Sequence, residues 1–298
     1  MKINVIIPCA PDAKVYAKKS LNSQGILDKD ILVISGKNPS KNRNIGVEKS
    51  RGDLVAFTNA HSFFDKSWKN KVTSFFKKYP NVDIVGGPQF TSKNENLFER
   101  VTGAALSSVF GAANVRNRYI SSDTEFDIDE TKLTSANLIC KKSVFDKIKF
   151  DENIYPGEDP KFISDAKKSG MLVSYCGDII AYNKRRTSFS DLFSQIFSYG
   201  KVRPQKESFL STLKNPFFFI PSVFVIGTIS ILLLAILHSF TWILILDFYI
   251  ALSLMFSIYE SFKNKQLSYF FILPWIFFTI HVGYGIGMIW GYLKKIIK

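Results

Sequence analysis

Short apolar runs alternate with amphipathic stretches over the first two hundred residues, and long apolar runs close the chain. Residues 3–7 form a continuous apolar run that ends at Pro8, the pattern of a strand buried on both faces of a parallel sheet. Similar runs at 31–34, 54–57 and 82–85 predict three more strands. Residues 13–22 and 44–50 read as helices. Residues 67–78 read as an amphipathic helix with Trp68, Val72, Phe75 and Phe76 on one face. This alternation predicts an α/β domain built on a mostly parallel open sheet. Ligands of such sheets gather at the carboxyl ends of the strands, which directs attention to residues 8–12, 35–44 and 58–62.

The closing runs are of another kind. Residues 217–237 run for 21 positions without a charge, and residues 269–293 for 25, while 242–259 carries one acid, Asp247. A membrane-spanning helix needs about 20 apolar residues, so about three transmembrane helices are predicted. The loop at 238–241 has no Lys or Arg, whereas the loop at 261–268 has Lys263 and Lys265. With the front domain cytosolic, the first two spans then form a hairpin whose second loop returns inside, as the positive-inside rule prefers. A third full span would send Lys294, Lys295 and Lys298 to the opposite face, against that rule; a re-entrant segment or a snorkelling tail are the alternatives. Gly283, Gly285, Gly287 and Gly291 fit close helix packing, with Gly283 and Gly287 at small-xxx-small spacing.

Charge narrows the partners. The 298 residues carry 39 basic and 25 acidic side chains, a formal net charge of +14. The first 200 residues account for +8 of it (30 basic, 22 acidic). Beside membrane spans such an excess points to anionic lipid headgroups or a phosphorylated substrate. No zinc-finger spacing or base-reading basic helix supports nucleic acid. Cys9, Cys140 and Cys176 are odd in number and widely spaced, which suggests neither a disulfide frame nor a metal cluster and fits a reducing compartment. The apolar run at the N-terminus is too short for a signal peptide.

The segments at the strand ends carry a resemblance. The run Val5-Ile6-Ile7-Pro8 resembles the opening strand of family 2 glycosyltransferases, which have the nucleotide-binding GT-A fold. Lys41-Asn42-Arg43-Asn44-Ile45-Gly46 is similar to their A-R-N-x-G segment, and Arg51-Gly52-Asp53 with the apolar run ending at Phe57 to the strand leading to their metal motif. Asn59-Ala60-His61 stands where the family has D-x-D, a triplet often D-A-H in the succinoglycan-type polysaccharide branch. Phe150-Asp151-Glu152 and Gly157-Glu158-Asp159 match the F-D-E and E-D segments. Tyr199-Gly200-Lys201 and Arg203 resemble the basic segment on an interfacial helix ahead of the membrane spans. The matches extend in order from Ile3 to about Arg203.

The resemblance implies an inverting transfer of sugar from a nucleotide-sugar donor. Its transition state has oxocarbenium character, like that of glycoside cleavage. A base must take the acceptor's proton, and a cation must neutralise the leaving diphosphate. Asp159 matches the base, with Glu158 as its support; the alternative is that Asp159, ahead of Pro160, caps a helix over 161–169. His61 and Asn59 occupy the position of the ligands of a divalent cation, Mn or Mg, though neutral Asn59 replaces an aspartate; alternatively His61 closes the strand end. Pro8, Ala10, Asp12, Arg43, Asn44 and Asn59 fall at nucleotide-sugar positions; the alternative for Arg43 is an exposed arginine at a helix N-terminus. The chain runs almost directly from residues 35–39 into the Asn42-Arg43-Asn44 segment, so the family's base-reading aspartate has no clear counterpart.

Residues 189–199 read as an amphipathic helix with Leu192, Phe193, Ile196 and Phe197 on its apolar stripe, suited to the membrane interface. Gln195, Tyr199 and Arg203 either clamp the acceptor or the donor diphosphate, or serve a basic band that attracts lipid headgroups. The polar, Gly/Ala-rich segment 90–129 would shape the acceptor side. The expected organisation is a GT-A domain over 1–186, an interfacial helix and basic linker over 187–214, and a membrane region over 215–298. The protein would sit in the cell membrane with its catalytic domain cytosolic, acting on a lipid-linked or polysaccharide acceptor amid membrane lipids. The alternative is a catalytically inactive relative that binds sugar nucleotide or scaffolds glycan assembly.

Overall fold

The computed structural model describes residues 1–206 and 208–297. Its first elements are β1 (Ile3–Cys9), α1 (Ala17–Asn22), β2 (Ile31–Ser35), α2 (Pro39–Lys49), β3 (Leu54–Thr58), β4 (Ser62–Phe64), α3 (Trp68–Lys78), β5 (Ile84–Gly86) and β6 (Gln89–Phe90). Then come α4 (Leu97–Ser107), α5 (Val109–Ala112), β7 (Glu125–Phe126), β8 (Asn137–Lys141), α6 (Glu158–Lys168), β9 (Val173–Tyr175) and β10 (Ala181–Asn183). The chain closes with α7 (Phe189–Lys206), α8 (Phe209–Leu213), α9 (Ile220–Leu237), α10 (Leu244–Lys263) and α11 (Tyr269–Ile297). Two compact units form: Met1–Asn94 with Asn114–Lys184, and Glu95–Ala113 with the segment from Arg185 onward.

The first unit is a mixed α/β fold. Its seven-stranded sheet has the order β2-β1-β3-β8-β5-β9-β7. β1 pairs in parallel with β2 and β3, and β5 with β9. β8 runs antiparallel to β3 and β5, and β7 to β9. Five strands therefore share one direction, as the alternating pattern predicts. Side chains alternate between two buried layers. Val5, Ile7 and Ala56 meet Trp68, Val72, Phe75 and Phe76 of α3 on one face. Ile6, Val55 and Phe57 meet Phe162, Ile163 and Ala166 of α6 on the other. Burial on both faces is why these strands read as unbroken apolar runs. A second sheet, β4-β10-β6, flanks it.

Several boundaries differ from the pattern. α2 begins at Pro39, five residues before the predicted start, because Asn38 accepts a hydrogen bond from Lys41 N at 3.1 Å and Pro39 opens the first turn. Asn42, Arg43 and Asn44 consequently lie on the helix and are buried. α6 begins at Glu158, after Gly157 in the left-handed region (φ 114°). Asp159 is thus inside the first turn and does not cap it. A side chain at Gly157 would be strained at that φ.

In the second unit, α9, α10 and α11 lie in three helical stretches long and apolar enough to cross a membrane, Pro216–Leu237, Phe240–Lys263 and Tyr269–Ile297. α9 and α10 expose large apolar side chains such as Ile236 and Phe248. α11 is more enclosed. Its Leu273, Ile276, Phe277 and Ile280 pack with Val101, Ala104 and Ala105 of α4 and with Leu192 and Ile196 of α7. The α7 residues read as a lipid-facing stripe therefore include two that face protein, and α7 continues to Lys206. The polar-looking 90–129 segment contributes α4 to this cluster, an element the sequence pattern did not reveal.

Glycines seat α11 against its neighbours. A Cβ at Gly287 would collide with the Phe197 carbonyl oxygen, one at Gly291 with that of Lys201, and one at Gly285 with that of Pro221. Gly200 of α7 meets the Tyr284 carbonyl in return. At the end of this pair, Lys295 Nζ donates to the Pro204 carbonyl at 2.7 Å, and the Arg203 guanidinium lies 3.5 Å from the Phe218 ring centroid. Lys298 lies outside the described residues. Overpacking such a contact costs about 1–3 kcal/mol, so Gly287→Ala is expected to lower the melting temperature of the detergent-purified chain by several degrees. Gly227→Ala on α9, where an added Cβ meets nothing within 4 Å, is the control and should leave it unchanged. Equal melting temperatures for the two variants would refute the glycine seat.

Candidate active site

The carboxyl ends of β1 and β3 lie side by side in the sheet. Pro8 is half-buried at the end of β1, and Ala10 and Asp12 beyond it are exposed. Gly36 N donates to the Cys9 carbonyl at 3.0 Å, and the Asn42 amide bridges the Cys9 and Gly36 carbonyls at 3.3 and 3.0 Å. The ends of β1 and β2 are thereby sutured by one buried side chain. After β3, the turn Asn59-Ala60-His61 leads into β4. Its Ala60 carbonyl accepts from Tyr16 N and Ala17 N at the start of α1, and Ser62 N closes the turn onto the Asn59 carbonyl at 3.2 Å. Asn59 is half-buried and His61 exposed.

The acid pair meets Arg43. Arg43 Nη1 donates to Glu158 Oε1 at 2.8 Å, and Nη2 lies 3.7 Å from Asp159 Oδ1. Nη2 also donates to Ser135 Oγ at 2.5 Å. Ser135 N donates to Asp159 Oδ2 at 2.9 Å, and Gly157 N to Glu158 Oε2 at 3.0 Å. The Arg43 guanidinium also lies 5.2 Å from the centroid of the Phe150 ring. Arg43 is 4% exposed and Glu158 5%. Asp159 keeps more access, with its side chain 18% exposed. Its Oδ1 has no hydrogen-bond partner among the described residues.

This geometry sets the charge. Burial pushes the Glu158 carboxyl up to about 7, the neighbouring Asp159 pushes the same way, and Arg43 pulls against both. One buried cation thus serves two acids, and the more enclosed acid carries the penalty.

Arg43 and Asn44 are placed differently from an open nucleotide contact. Arg43 is enclosed beneath the acid pair rather than exposed. Asn44 exchanges hydrogen bonds with the Phe150 backbone, 3.0 Å to its carbonyl and 3.1 Å from its N–H, and donates to Glu152 Oε1 at 2.9 Å. It stitches the Phe150-Asp151-Glu152 segment to α2. Gln195, Tyr199 and Arg203 belong to the second unit, where Gln195 Nε2 donates to Tyr199 Oη at 2.9 Å and Arg203 is buried over Phe218. Ser135 escaped the sequence reading; its only signal is a polar Thr134-Ser135 step ahead of the apolar run of β8.

Among the described residues no group of three or more His, Cys, Asp or Glu could hold a metal ion. Asn59 and His61 offer one neutral amide oxygen and one imidazole, short of the oxygen-rich set that Mg or Mn prefers. Among the described residues the donors do not compose a complete divalent-cation site.

Residues 13–148, just under half of the chain, match the model of Glycosyl transferase family 2. The minor teichoic acid biosynthesis protein GgaB of Bacillus subtilis (strain 168) is 26% identical over 141 residues, which cover 45% of this chain. The matched region spans only 14% of that protein's length. The fold of the mannosyltransferase PcManGT from Pyrobaculum calidifontis, solved with GDP-Man and Mn2+, is similar at a TM-score of 0.60. That likeness covers 95% of this chain and 86% of that one at 10% identity. S. aureus TarS 1–349 with UDP-GlcNAc aligns at a TM-score of 0.44 and 14% identity, over 67% of this chain and 66% of that one.

Folding disfavours ionised Glu158, so this group's contribution to stability is complete below the ordinary carboxylate value of 4.5 and is lost as the pH rises through about 7. An NMR titration of the Glu158 side-chain carboxyl is expected to show a midpoint near 7, and Asp159→Asn should lower it by removing the adjacent negative charge. A midpoint near 4.5 in the wild type would contradict the buried arrangement.

Proposed function

We propose that the chain is an inverting, membrane-anchored glycosyltransferase that moves a sugar from a nucleotide-sugar donor to a lipid-linked or polysaccharide acceptor at the cytosolic membrane face. The observation that carries this reading is Asp159, fixed through Oδ2 by the Ser135 N–H while Oδ1 keeps no hydrogen bond. A carboxylate anchored through one oxygen, with the other facing the Arg43 guanidinium at 3.7 Å without a hydrogen bond, suits a general base. In this reading the Asp159 carboxylate, its side chain 18% exposed, takes the proton of an acceptor hydroxyl. The acceptor oxygen then bonds to the anomeric carbon as its bond to the diphosphate breaks, and the nucleoside diphosphate leaves with the electron pair. Arg43 and Glu158 hold Asp159 in place.

Donor contacts are assigned to the Pro8 and Ala10 backbone, Asp12 and Asn59 at the strand ends, with Arg43 and Asn44 as support beneath them. A cation arriving with the donor's phosphates would meet His61 and Asn59. Gln195, Tyr199 and Arg203 are assigned to acceptor or diphosphate contacts and the basic segment around them to lipid headgroups. The division proposed is a catalytic domain over 1–186, a linker over 187–214 and a membrane region over 215–298, of the succinoglycan-type branch. The resemblance, the match over residues 13–148 and three helices of spanning length support this reading. One observation favours a second reading, a non-catalytic relative that binds sugar nucleotide: neutral Asn59 stands where an acid is usual.

Nucleotide release from a panel of UDP- and GDP-sugars tests the two, using the full chain in detergent with a membrane lipid extract as acceptor. Release with one donor is expected, and Asp159→Asn should reduce kcat by about a hundredfold or more, within the range for loss of a general base. His61→Ala is expected to blunt any response to added Mn2+. Donor binding without release from any sugar would favour the non-catalytic reading.

A further inference from the structure

Four buried or half-buried polar side chains lie end to end through the first unit. Ser62 Oγ, just past the Asn59-Ala60-His61 turn, donates to Asn183 Oδ1 of β10 at 2.5 Å. Asn183 Nδ2 donates to Gln89 Oε1 of β6 at 2.7 Å, and Gln89 Nε2 donates to Thr134 Oγ1. Thr134 Oγ1 also accepts from Ala136 N at 3.2 Å, and the Thr134 carbonyl accepts from Asn137 N at 3.2 Å. These bonds shape the turn that holds Ser135, the residue that meets both Asp159 and Arg43. Thr58 Oγ1 pins the turn from β3, donating to the Ala136 carbonyl at 3.2 Å. Ser62 is fully buried, and Asn183, Gln89 and Ser135 are each at most 5% exposed.

Polar groups this deep cost stability unless each is satisfied, and once satisfied they fix one geometry. An apolar core would fill the same space. We propose that Thr134 is a positioning residue for the transfer reaction, and that the relay Ser62–Asn183–Gln89–Thr134 locks the turn bearing Ser135 to the strand end bearing Asn59 and His61. The site that meets the donor and the carboxylate that takes the proton then keep a fixed spacing. A misplacement of about 1 Å in such a spacing can cost a hundredfold in rate. The inference rests on the transferase reading above.

Initial-rate kinetics of the full chain test it, with Thr134→Val, which removes the relay's hydroxyl at similar volume, and Thr134→Ser, which keeps it. Thr134→Val is expected to lower kcat at least tenfold with the donor KM within twofold of wild type, and Thr134→Ser to restore kcat to within threefold. Gln89→Met leaves the turn's own bonds intact and reports on the relay should Thr134→Val fail to fold; a kcat loss of at least threefold is expected. Unchanged kcat in the folded variants, equal losses in Thr134→Val and Thr134→Ser, or losses that only track the folded fraction would overturn the proposal. An inactive wild type would remove the transferase reading and this inference together, whereas an active wild type with unaffected variants removes this inference alone.

Discussion

A guanidinium that is 4% exposed must be neutralised where it lies, and around Arg43 the first unit arranges two carboxylates, a hydroxyl and an aromatic face. Those partners come from distant parts of the chain. Arg43 rides on α2, Ser135 sits in the turn before β8, and Glu158 and Asp159 open α6. None can move far without leaving a buried charge exposed to a low-dielectric interior. The same demand explains the left-handed Gly157, whose N–H turns back onto Glu158. It also explains Asn44, which binds the Phe150-Asp151-Glu152 segment to the helix carrying Arg43. The acid pair is thus a junction of three chain segments as well as a chemical group.

Much of this was legible in the residues. The β1 to β3 strands and α3 follow directly from apolar runs and from the helical spacing of Trp68, Val72, Phe75 and Phe76. The resemblance picked out Arg43, Glu158 and Asp159 individually. Their union was not legible, because spacing along a chain does not say which side chains face one another across about 115 residues. β8 and the Ser135 turn were missed for a related reason. β8 is an antiparallel strand inserted between β3 and β5, far from both in sequence, and the residues ahead of it carry no distinctive composition.

The second unit shows the opposite balance. Its long helices announce themselves by apolar length alone, and the glycines of α11 by their spacing. α4 did not, because glutamate, threonine and alanine make its buried face only weakly apolar, and its role depends on α11 supplying the complementary surface. α7 likewise presents a stripe that suits lipid or protein equally well. Hydrophobicity identifies a face that must be covered; it does not identify the cover.

The glycine spacing on α11 carries a consequence for how that helix pair is defined. Gly283, Gly287 and Gly291 recur every four residues, so a slip of α7 by one turn in one direction, about 5.4 Å, would again present glycines to the Phe197 and Lys201 carbonyls. The seat by itself is therefore nearly periodic and leaves the register ambiguous. Two contacts of α7 off the ridge remove the ambiguity: Lys295 on the Pro204 carbonyl, and Arg203 over Phe218. Neither of these repeats one turn away. The basic residues at the end of the pair thus act as a vernier that selects one alignment over its slipped neighbour.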